Sequence, residues 1–376
     1  MKANKNYKNI VPVSFNNLAL QQKRLESKIY EKIKHVLAHG KYILGPEVSE
    51  LENKLSKYSN AKYVATCASG TDALILSLMA HNIGKGDAVL CPSFTFPATA
   101  EAIVLTGAEP VFVDVDKDTY NICINSLEHT IEKNKNNYKA ILIVDLYGLP
   151  ADYKALSKIS KKYGLVLIAD AAQSFGAEYL EKKVGTLADI TCVSFFPAKP
   201  LGCYGDGGAI LTEDKNIWNK ILSLRAHGKG REKYEIEFVG LNSRLDTIQA
   251  AILLAKLEDF DWELTQRNKI AKLYSSALKG YVTIPIIPKG AKSAWAQYTI
   301  QHTNRSNIQS NLEKQGVPTM IYYPTPMHLQ KPYRKYIANN LFNSEALSKE
   351  VLSLPIYPDM NMETLDYIIF KLRETL

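Results

Sequence analysis

Between residues 62 and 212 the sequence alternates short runs of β-branched residues with segments of helical periodicity. This alternation is typical of a mainly parallel sheet that is covered by helices on both faces. The predicted strands are 62–66, 88–91, 110–115, 140–145, 166–170, 190–195 and 208–211. Helices are predicted between them, for example at 72–81 and 151–163, where apolar residues recur three and four positions apart. The predicted fold class is therefore α/β.

Further elements are predicted on both sides of this region. Helices at 21–39 and 47–58 precede it, and one long helix at 246–279 leads out of it. The pattern then changes, and the later elements are predicted to be a strand at 297–302, a helix at 308–315, a strand at 319–323 and a terminal helix from Met362. We expect this tail to form a smaller α+β domain.

The length of the chain favours two domains. At 376 residues it exceeds what one hydrophobic core usually serves. The predicted division is a large α/β domain with N-terminal helices at 1–250, and a linking helix with the small C-terminal domain at 251–376.

Composition and charge argue against several classes of protein. The apolar runs are too short to span a bilayer and residues 1–9 do not resemble a signal peptide, so a cytoplasmic location is expected. The five cysteines lie far apart, without the spacing of metal ligands, so we expect reduced thiols and no metal site. The net charge of +8 is spread along the chain, which favours acidic partners such as nucleotide diphosphates but gives little support to nucleic-acid binding.

Ligands of open parallel sheets bind at the carboxyl ends of the strands, so the residues there are of most interest. The turn Ser69-Gly70-Thr71 follows the first strand and opens the helix at Asp72. Free backbone N–H groups and the positive end of a helix dipole make such a turn suitable for a phosphate. A purely structural helix cap is the alternative, because these residue types commonly start helices.

Asp170 ends the very apolar strand at 166–170. A carboxylate at the end of a buried strand costs several kcal/mol to desolvate unless a cation lies opposite it. A pyridinium nitrogen would be such a cation. The alternative is an aspartate that caps the next helix.

Lys199 follows a buried strand by a few residues and lies between Pro197 and Pro200. This apolar setting disfavours the charged ammonium form of the lysine. The neutral amine is then available as a nucleophile toward a carbonyl cofactor. A surface lysine on a proline-flanked loop is the alternative. The glycines at 205–208 do not match a dinucleotide or P-loop fingerprint.

Four separated motifs resemble those of a known protein family. They are Asp-Ala-Ala-Gln at 170–173, Ser-Phe-Phe-Pro-Ala-Lys at 194–199, Gly-Asp-Gly-Gly-Ala at 205–209 and Asn-Ser-Arg-Leu-Asp-Thr-Ile-Gln-Ala-Ala at 242–251. In this order they resemble the DegT/DnrJ/StrS family of sugar aminotransferases, over nearly the whole chain from about residue 40. The resemblance implies fold type I of the pyridoxal-phosphate enzymes, with a mainly parallel sheet sandwiched by helices.

The resemblance also implies roles for three residues at the strand ends. Lys199 would form an imine with pyridoxal 5′-phosphate and then carry the proton between the cofactor and the substrate carbon. Asp170 would pair with the pyridinium nitrogen and keep it protonated, so that the ring can act as an electron sink. Gln173 would lie under the ring or contact its hydroxyl group.

The other expected cofactor contacts likewise come from the resemblance. Ser194 and the Gly70-Thr71 turn would hold the phosphate. Phe96 would stack on the ring face, a contact worth about 1 kcal/mol beyond its buried area, although a plain core phenylalanine is the alternative. Asn242 would reach the phosphate in the neighbouring subunit's site, which implies a homodimer with shared active sites.

Four residues are expected to contact the substrate. Tyr322 and Tyr323 would line its nucleotide or sugar side. Arg244 forms either a structural ion pair or a contact to an anionic substrate group across the subunit interface, and a uronate carboxylate would suit its guanidinium. For His328, simple packing in a loop is as good an interpretation as a substrate contact. Where the family commonly has histidine before Leu-Tyr-Gly this chain has Asp145, which is given no catalytic role.

The resemblance finally implies a reaction. Relatives with histidine in place of the cofactor lysine are dehydratases, so Lys199 favours transamination. An amino acid, glutamate in most relatives, would donate the amino group to a nucleotide-linked keto-sugar. The segments 40–48, 194–208 and 322–330 look most like those of enzymes that aminate C3 of UDP-2-acetamido-2-deoxy-3-oxo-glucuronate for surface polysaccharides. The alternatives are C3 or C4 of another UDP- or dTDP-linked deoxysugar, and less strongly a dehydratase.

Overall fold

The computed structural model describes residues 12–133, 136–232 and 234–376. In chain order its strands are β1 (Tyr63–Cys67), β2 (Ala88–Pro92), β3 (Glu109–Val113), β4 (Tyr138–Val144), β5 (Val166–Asp170), β6 (Glu178–Tyr179), β7 (Lys182–Lys183), β8 (Ile190–Ser194), β9 (Gly208–Thr212), β10 (Ala291–Lys292), β11 (Tyr298–Gln301) and β12 (Val351–Leu354). Seven of them form one sheet in the spatial order β1-β9-β8-β5-β4-β2-β3. Strands β3, β2, β4, β5 and β8 run parallel, whereas β9 is antiparallel to both β8 and β1. The predicted mainly parallel sheet is confirmed, and its strands are the seven predicted from the sequence.

The helices lie around this sheet and in the C-terminal part of the chain. They are α1 (Leu18–His39), α2 (Pro46–Ser59), α3 (Gly70–Ala80), α4 (Pro97–Leu105), α5 (Ile124–Lys133), α6 (Tyr153–Tyr163), α7 (Lys215–Leu224), α8 (Thr247–Leu257), α9 (Phe260–Leu278), α10 (Arg305–Lys314), α11 (Phe342–Glu350) and α12 (Met362–Thr375), with short 3-10 turns at Leu146–Gly148 and Met327–Leu329. Within the described residues, no helix combines the length and the apolar character that a membrane span requires.

Helices cover both faces of the large sheet because successive strand residues point in opposite directions. In β5, Ile168 belongs to the core beneath α3 and α4, whereas Leu167 and Ala169 belong to the core beneath α5 and α6. Local signals fix the ends of these helices. In α6, for example, the Asp152 side chain accepts a hydrogen bond from the backbone N–H of Ala155, and Gly164 ends the helix at φ +65°.

The prediction of one helix at 246–279 is wrong. The structure has two helices, α8 and α9, and they pack against different partners: α8 lies on α1 and α2, whereas α9 lies on α12. The break falls at Asp259, whose carboxylate accepts a hydrogen bond from Arg24 Nη1 of α1 at 2.9 Å. The chain changes direction there to reach the C-terminal part of the molecule.

The strand predicted at 319–323 is also not formed. Met320 makes a single bridge to Ser353, and the small sheet consists of β11 and β12 in antiparallel pairing. Prolines at 318, 324 and 326 lack the N–H that a strand ladder needs, which limits pairing here. Strand β12, between α11 and α12, was not predicted.

The C-terminal part of the chain forms a hydrophobic core of its own, but one of its segments packs on the large sheet instead. Tyr274, Tyr298 and Ile368 are among the residues of this third core. The segment after residue 326 returns to the large sheet, where Met327 and Tyr333 join the core beneath α3 and α4. A boundary at residue 250 therefore does not describe this returning segment, and the division into two domains stays a prediction.

Candidate functional site

The carboxyl ends of β4, β5 and β8 lie side by side at one edge of the sheet. Asp170 is the last residue of β5, where it is paired with Val144 of β4 and with Cys192 of β8. It is 7% exposed. The buried strand on which it sits thus delivers a carboxylate to the sheet edge at which ligands bind.

The Asp170 carboxylate is held by two donors. One oxygen accepts from the Thr99 hydroxyl at 3.0 Å and the other from the backbone N–H of Ala172 at 3.2 Å. Thr99 is in turn 3.0 Å from the Thr95 hydroxyl. Burial raises the pKa of Asp170, and the hydrogen bonds and the nearby charge of Lys199 oppose this rise only in part. The group therefore has a fixed orientation and would gain from a cation placed opposite it.

Lys199 lies on the loop after β8. Its backbone N–H donates to the Phe196 carbonyl at 2.9 Å, and the Cys203 N–H donates to the Phe195 carbonyl at 2.8 Å, so the loop folds back on the end of the strand. Burial lowers the pKa of Lys199, and the charge of Asp170 partly opposes this shift. Because β8 lies beside β5, this loop brings Lys199 to the same sheet edge as Asp170, and the neutral amine of Lys199 is favoured as a nucleophile.

The N-terminus of α3 closes the site beside Ser194. Ser69 caps the helix by accepting from the backbone N–H of Asp72 at 3.0 Å, and the helix begins at Gly70. A Cβ atom on Gly70 would lie 2.6 Å from Ser194 Cβ, so only glycine permits this approach. Gly70, Thr71 and Ser194 thus lie together, with helix N–H groups suited to a phosphate.

Phe96 and Gln173 approach the same space. Phe96 precedes α4 and is 52% exposed, which is not the environment of the core phenylalanine considered as its alternative. Its ring centroid lies 6.1 Å from that of Tyr323. The Gln173 side chain is buried, accepts from the Tyr147 N–H at 2.7 Å and donates to the Tyr323 hydroxyl at 3.3 Å.

Asn242 and Arg244 form a pair of their own. Asn242 is exposed, and its side-chain oxygen accepts from Arg244 Nη2 at 2.5 Å. The buried Nε of Arg244 has no hydrogen-bond partner within the described residues. Among the described residues the recorded partner of its guanidinium is Asn242, and the choice between an ion pair and a substrate contact stays a prediction.

Tyr322 and Tyr323 lie close to the space between Phe96 and Gln173, whereas the His328 ring is held by contacts within the chain. The Tyr147 hydroxyl donates to the Tyr322 carbonyl, and the Tyr322 and Tyr323 rings are in edge contact at 5.7 Å. His328 Nδ1 is 2.7 Å from the Ser93 hydroxyl, and its Nε2 is 3.4 Å from a Glu345 oxygen. Both ring nitrogens have partners within the chain, and a substrate contact of His328 stays a prediction.

Asp145, which follows β4, is fully buried beside Asp170. It accepts hydrogen bonds from the Ala151 N–H at 2.8 Å, the Tyr153 hydroxyl at 2.8 Å and the Ser174 hydroxyl at 2.7 Å. Burial raises the pKa of Asp145 to about 6, and the charge of Asp170 adds to the shift. Its contacts tie the chain at the start of α6, at Ala151 and Tyr153, to Ser174 of the segment that follows β5.

Comparison with known proteins identifies the family. The model of the DegT/DnrJ/EryC1/StrS aminotransferase family matches residues 23–373. The chain belongs to this family. It is similar to UDP-2-acetamido-2-deoxy-3-oxo-D-glucuronate aminotransferase of Pseudomonas aeruginosa strain PAO1, with 45% identity over 95% of this chain and 98% of the relative. It is also similar to UDP-N-acetyl-3-dehydro-alpha-D-glucosamine 3-aminotransferase of Acidithiobacillus ferrooxidans, with 39% identity over 94% of this chain and 95% of the relative.

Solved structures agree with this assignment. The crystal structure of S. venezuelae DesV in complex with a ketimine intermediate superimposes on 97% of this chain and 98% of its own, with 34% identity and a TM-score of 0.93. The predicted fold type is therefore confirmed. The chain is an aminotransferase of the pyridoxal-phosphate type.

The residues present fit this cofactor. A phosphate, a basic ring nitrogen and a carbonyl group require an anion cradle, a carboxylate and an amine. The aminotransferase offers the α3 N-terminus closed by Gly70 and Ser194, the buried Asp170, and Lys199 with its lowered pKa. The individual contacts with the cofactor stay predictions.

Sequence reasoning missed two residues of this site. Thr99, which orients Asp170, lies in the first turn of α4, and a threonine within a helix usually has only local partners, so the sequence carries no signal for this contact. Tyr147 contacts Gln173 through its backbone N–H, which every residue except proline has, so its side chain gave no signal.

Proposed function

We propose that this aminotransferase moves an amino group from an amino acid, glutamate in the first instance, to C3 of UDP-2-acetamido-2-deoxy-3-oxo-glucuronate. The enzyme would act in the cytoplasm, and its product would be a precursor of surface polysaccharides. The observation that carries the chemistry is the placement of Asp170, at the end of β5, beside β8, whose following loop carries Lys199 at the same sheet edge. The choice of sugar is supported by the 45% identical relative that is named for this substrate.

The protein's own groups have separate tasks in this proposal. When bound, the cofactor supplies the electron sink. Lys199 would attach the cofactor and move the proton at the substrate carbon, while Asp170, held by Thr99 and Ala172, would keep a proton on the ring nitrogen. The cradle of Gly70, Thr71 and Ser194 would hold the phosphate, and Phe96 would stack on the ring.

Arg244 is proposed to bind the uronate carboxylate. Its guanidinium keeps a buried Nε without a partner, and a buried unpaired donor is costly unless a ligand satisfies it. A guanidinium binds a carboxylate through two parallel hydrogen bonds. Asn242, which accepts from Nη2 at 2.5 Å, orients the group for this contact.

We infer a homodimer with shared sites. The residues just before α2 expose three large apolar side chains, Tyr42 at 48%, Ile43 at 47% and Leu44 at 44%. Ile43 bridges Asp246, so this exposed patch lies against the segment that carries Asn242 and Arg244. Contiguous exposed apolar side chains favour burial against a second copy, which would bring Asn242 to the partner's phosphate site.

The amino-donor half-reaction tests the reaction type. The purified enzyme with pyridoxal phosphate is incubated with glutamate while the visible absorbance is followed. We expect the band of the lysine-bound cofactor to disappear as 2-oxoglutarate is released in equal amount. A band that persists with every amino acid donor offered, with no oxo acid formed, would remove transamination from consideration.

A panel of amino-sugar nucleotides tests the substrate. In the reverse reaction, UDP-linked 3-amino uronates are compared with matched UDP- and dTDP-sugars that lack the carboxylate or carry the amine at C4. We expect preference for the 3-amino uronate, and Arg244→Met should abolish that preference by raising KM. Equal use of sugars without a carboxylate would contradict the uronate and favour a substrate such as that named for the Acidithiobacillus relative.

A further inference from the structure

Tyr147 contacts three parts of the site at once. Its backbone N–H donates to Gln173 Oε1 at 2.7 Å, and its hydroxyl donates to the carbonyl of Tyr322. Its own carbonyl faces the N–H of Gln297 at 3.5 Å, next to β11. A single residue that is 5% exposed thus joins the cofactor side, the segment of Tyr322 and Tyr323, and the C-terminal core.

The turn that carries Tyr147 has an unusual backbone held by its surroundings. Tyr147 itself has φ +58° and Gly148 has φ +95°. A Cβ on Gly148 would lie 2.8 Å from the N of Trp295 and 2.9 Å from the carbonyl oxygen of Gln173. A non-glycine residue in the left-handed region costs free energy and persists where tertiary contacts fix it, which is typical of functional sites.

These contacts settle which way the Gln173 amide points. The Tyr147 N–H can only donate, so the amide atom facing it is the oxygen. The amide nitrogen then donates one hydrogen to the Tyr323 hydroxyl at 3.3 Å. One N–H of Gln173 remains, and it is a donor with a fixed direction.

We propose that Tyr147 is a positioning residue that ties the segment of Tyr322 and Tyr323 to Gln173, so that the remaining Gln173 N–H points at the ring hydroxyl oxygen of the cofactor. This inference rests on the proposed function, in which Gln173 lies by the ring. It adds a physical link between the segment expected to contact the sugar and the electronics of the cofactor. Tyr147 does so without touching either ligand.

The link has a spectroscopic consequence. A donor N–H stabilises negative charge on the ring oxygen, and losing it makes that oxygen more basic, so that it holds the neighbouring proton of the lysine-bound cofactor more tightly. The pH midpoint of the visible absorbance change then rises. Burial raises the pKa of both Tyr147 and Tyr323, so their hydroxyls stay protonated during such a titration.

The test is a double-mutant cycle on the cofactor-bound enzyme, with the absorbance midpoint as the readout. Tyr147→Phe removes the hydroxyl bond to the Tyr322 carbonyl, and Tyr323→Phe removes the acceptor of the Gln173 amide. Each should raise the midpoint by up to about 1 pH unit. Because both act through Gln173, the double variant should shift no further than the larger single shift. KM for the sugar nucleotide should rise in both variants.

Tyr120→Phe is the matched control. Tyr120 is also buried and contacts the Tyr147 ring at 5.0 Å, but its hydroxyl accepts from Gln301 instead of touching Gln173. Its midpoint should equal that of the wild type. If Tyr147→Phe does not fold, Tyr323→Phe provides the test. This variant removes the acceptor of the Gln173 amide, so an unchanged absorbance midpoint would overturn the inference.

The outcomes separate this inference from the proposed function. A wild-type enzyme that binds no cofactor or releases no 2-oxoglutarate contradicts the proposed function itself. A wild type that passes both tests, together with a Tyr147→Phe midpoint equal to that of Tyr120→Phe, overturns the inference alone. Shifts of Tyr147→Phe and Tyr323→Phe that simply add would also overturn it, because independent effects do not pass through one amide.

Discussion

At the scale of single residues, burial shifts the pKa of Lys199 downward and that of Asp170 upward. Each shift favours the uncharged form, because the surroundings of both groups solvate charge poorly. Their mutual attraction opposes the two shifts without removing them. A ligand that gave Asp170 a cationic partner and took up the amine of Lys199 would relieve both groups at once, which is the role proposed for pyridoxal phosphate.

Asp170→Asn should leave the fold intact and remove most of the activity. A buried cation without its carboxylate costs about 3–5 kcal/mol, which corresponds to a loss of roughly 10²- to 10⁴-fold in kcat. Transaminase assays with excess cofactor measure this loss. Asp114→Asn is the matched control, since Asp114 is equally buried but accepts from Asn343 and Ser344, away from the site. Equal losses in both variants would contradict the role of Asp170.

Asp145 should make the stability of the enzyme depend on pH. Burial raises its pKa from 3.8 to about 6, so in this range the native state holds a proton that the unfolded chain has lost. Stability from this group is thus present below pH 3.8 and is lost as the pH rises through about 6. Denaturation of the wild type and of Asp145→Asn at about pH 5 and about pH 7.5 should show the wild-type advantage shrinking by about 1 kcal/mol with rising pH. Parallel pH profiles would contradict the raised pKa.

Site residues at the ends of buried strands could be predicted from the sequence, whereas site residues that act through tertiary contacts could not. Asp170 could be predicted because it ends a buried strand at the ligand-binding edge, and Lys199 because it follows the neighbouring strand closely. Thr99 could not, since a threonine within a helix usually has only local partners. Tyr147 bonds Gln173 through its main chain, which no residue type reveals.

At the scale of elements, the close approach of α3 to β8 shapes the phosphate end of the site. Gly70→Ala should weaken cofactor binding, because the new Cβ would lie 2.6 Å from Ser194 Cβ and push the helix N-terminus away. Overpacking of this kind costs about 1–3 kcal/mol, or roughly 10- to 100-fold in Kd. Fluorescence titration of the apo enzyme with pyridoxal phosphate measures it.

Gly84→Ala is the control for that substitution. Its nearest neighbour would be the Thr106 carbonyl oxygen at 3.1 Å, far from the site, so the cofactor Kd should stay at the wild-type value. If Gly70→Ala binds the cofactor as tightly as Gly84→Ala, the N-terminus of α3 does not hold the phosphate.

The seven strands of the large sheet could be predicted because each is a short β-branched run bounded by turn residues. The break between α8 and α9 could not, since it contains neither proline nor glycine and follows from contacts of Asp259 with Arg24 of α1. The segment 319–323 has the residue types of a strand, but its flanking prolines and the bond from Tyr147 to the Tyr322 carbonyl keep it irregular. Long-range contacts decided both cases.

At the scale of the whole molecule, the proposed homodimer predicts complementation between two inactive variants. Lys199→Ala lacks the amine, and Asn242→Ala lacks the phosphate contact that it would lend to its partner. A mixed dimer would have one site with both defects and one intact site. Random mixing should therefore restore about a quarter of the wild-type activity. Subunits are mixed after reversible dissociation, and activity is compared with that of each variant alone.

The control mixes Lys199→Ala with Asp170→Asn, whose defects lie in the same site of each subunit. That mixture should stay inactive, because no mixed dimer has an intact site. If the Lys199→Ala and Asn242→Ala mixture is equally inactive while the dimers do exchange, Asn242 does not serve the neighbouring site.

The central claim, that Lys199 holds the cofactor, is tested most directly by locating the bound cofactor in the chain. The holoenzyme is reduced with borohydride and digested, and the modified peptide is identified by mass spectrometry. A nearby buried lysine makes the result decisive: Lys256 is 2% exposed, burial lowers its pKa to about 8, and it donates to the Gly202 carbonyl on the Lys199 loop at 2.7 Å. We predict that the reduced cofactor is found on Lys199 and that Lys199→Ala yields no modified peptide. A modified peptide carrying Lys256, or one that persists in Lys199→Ala, would contradict the account.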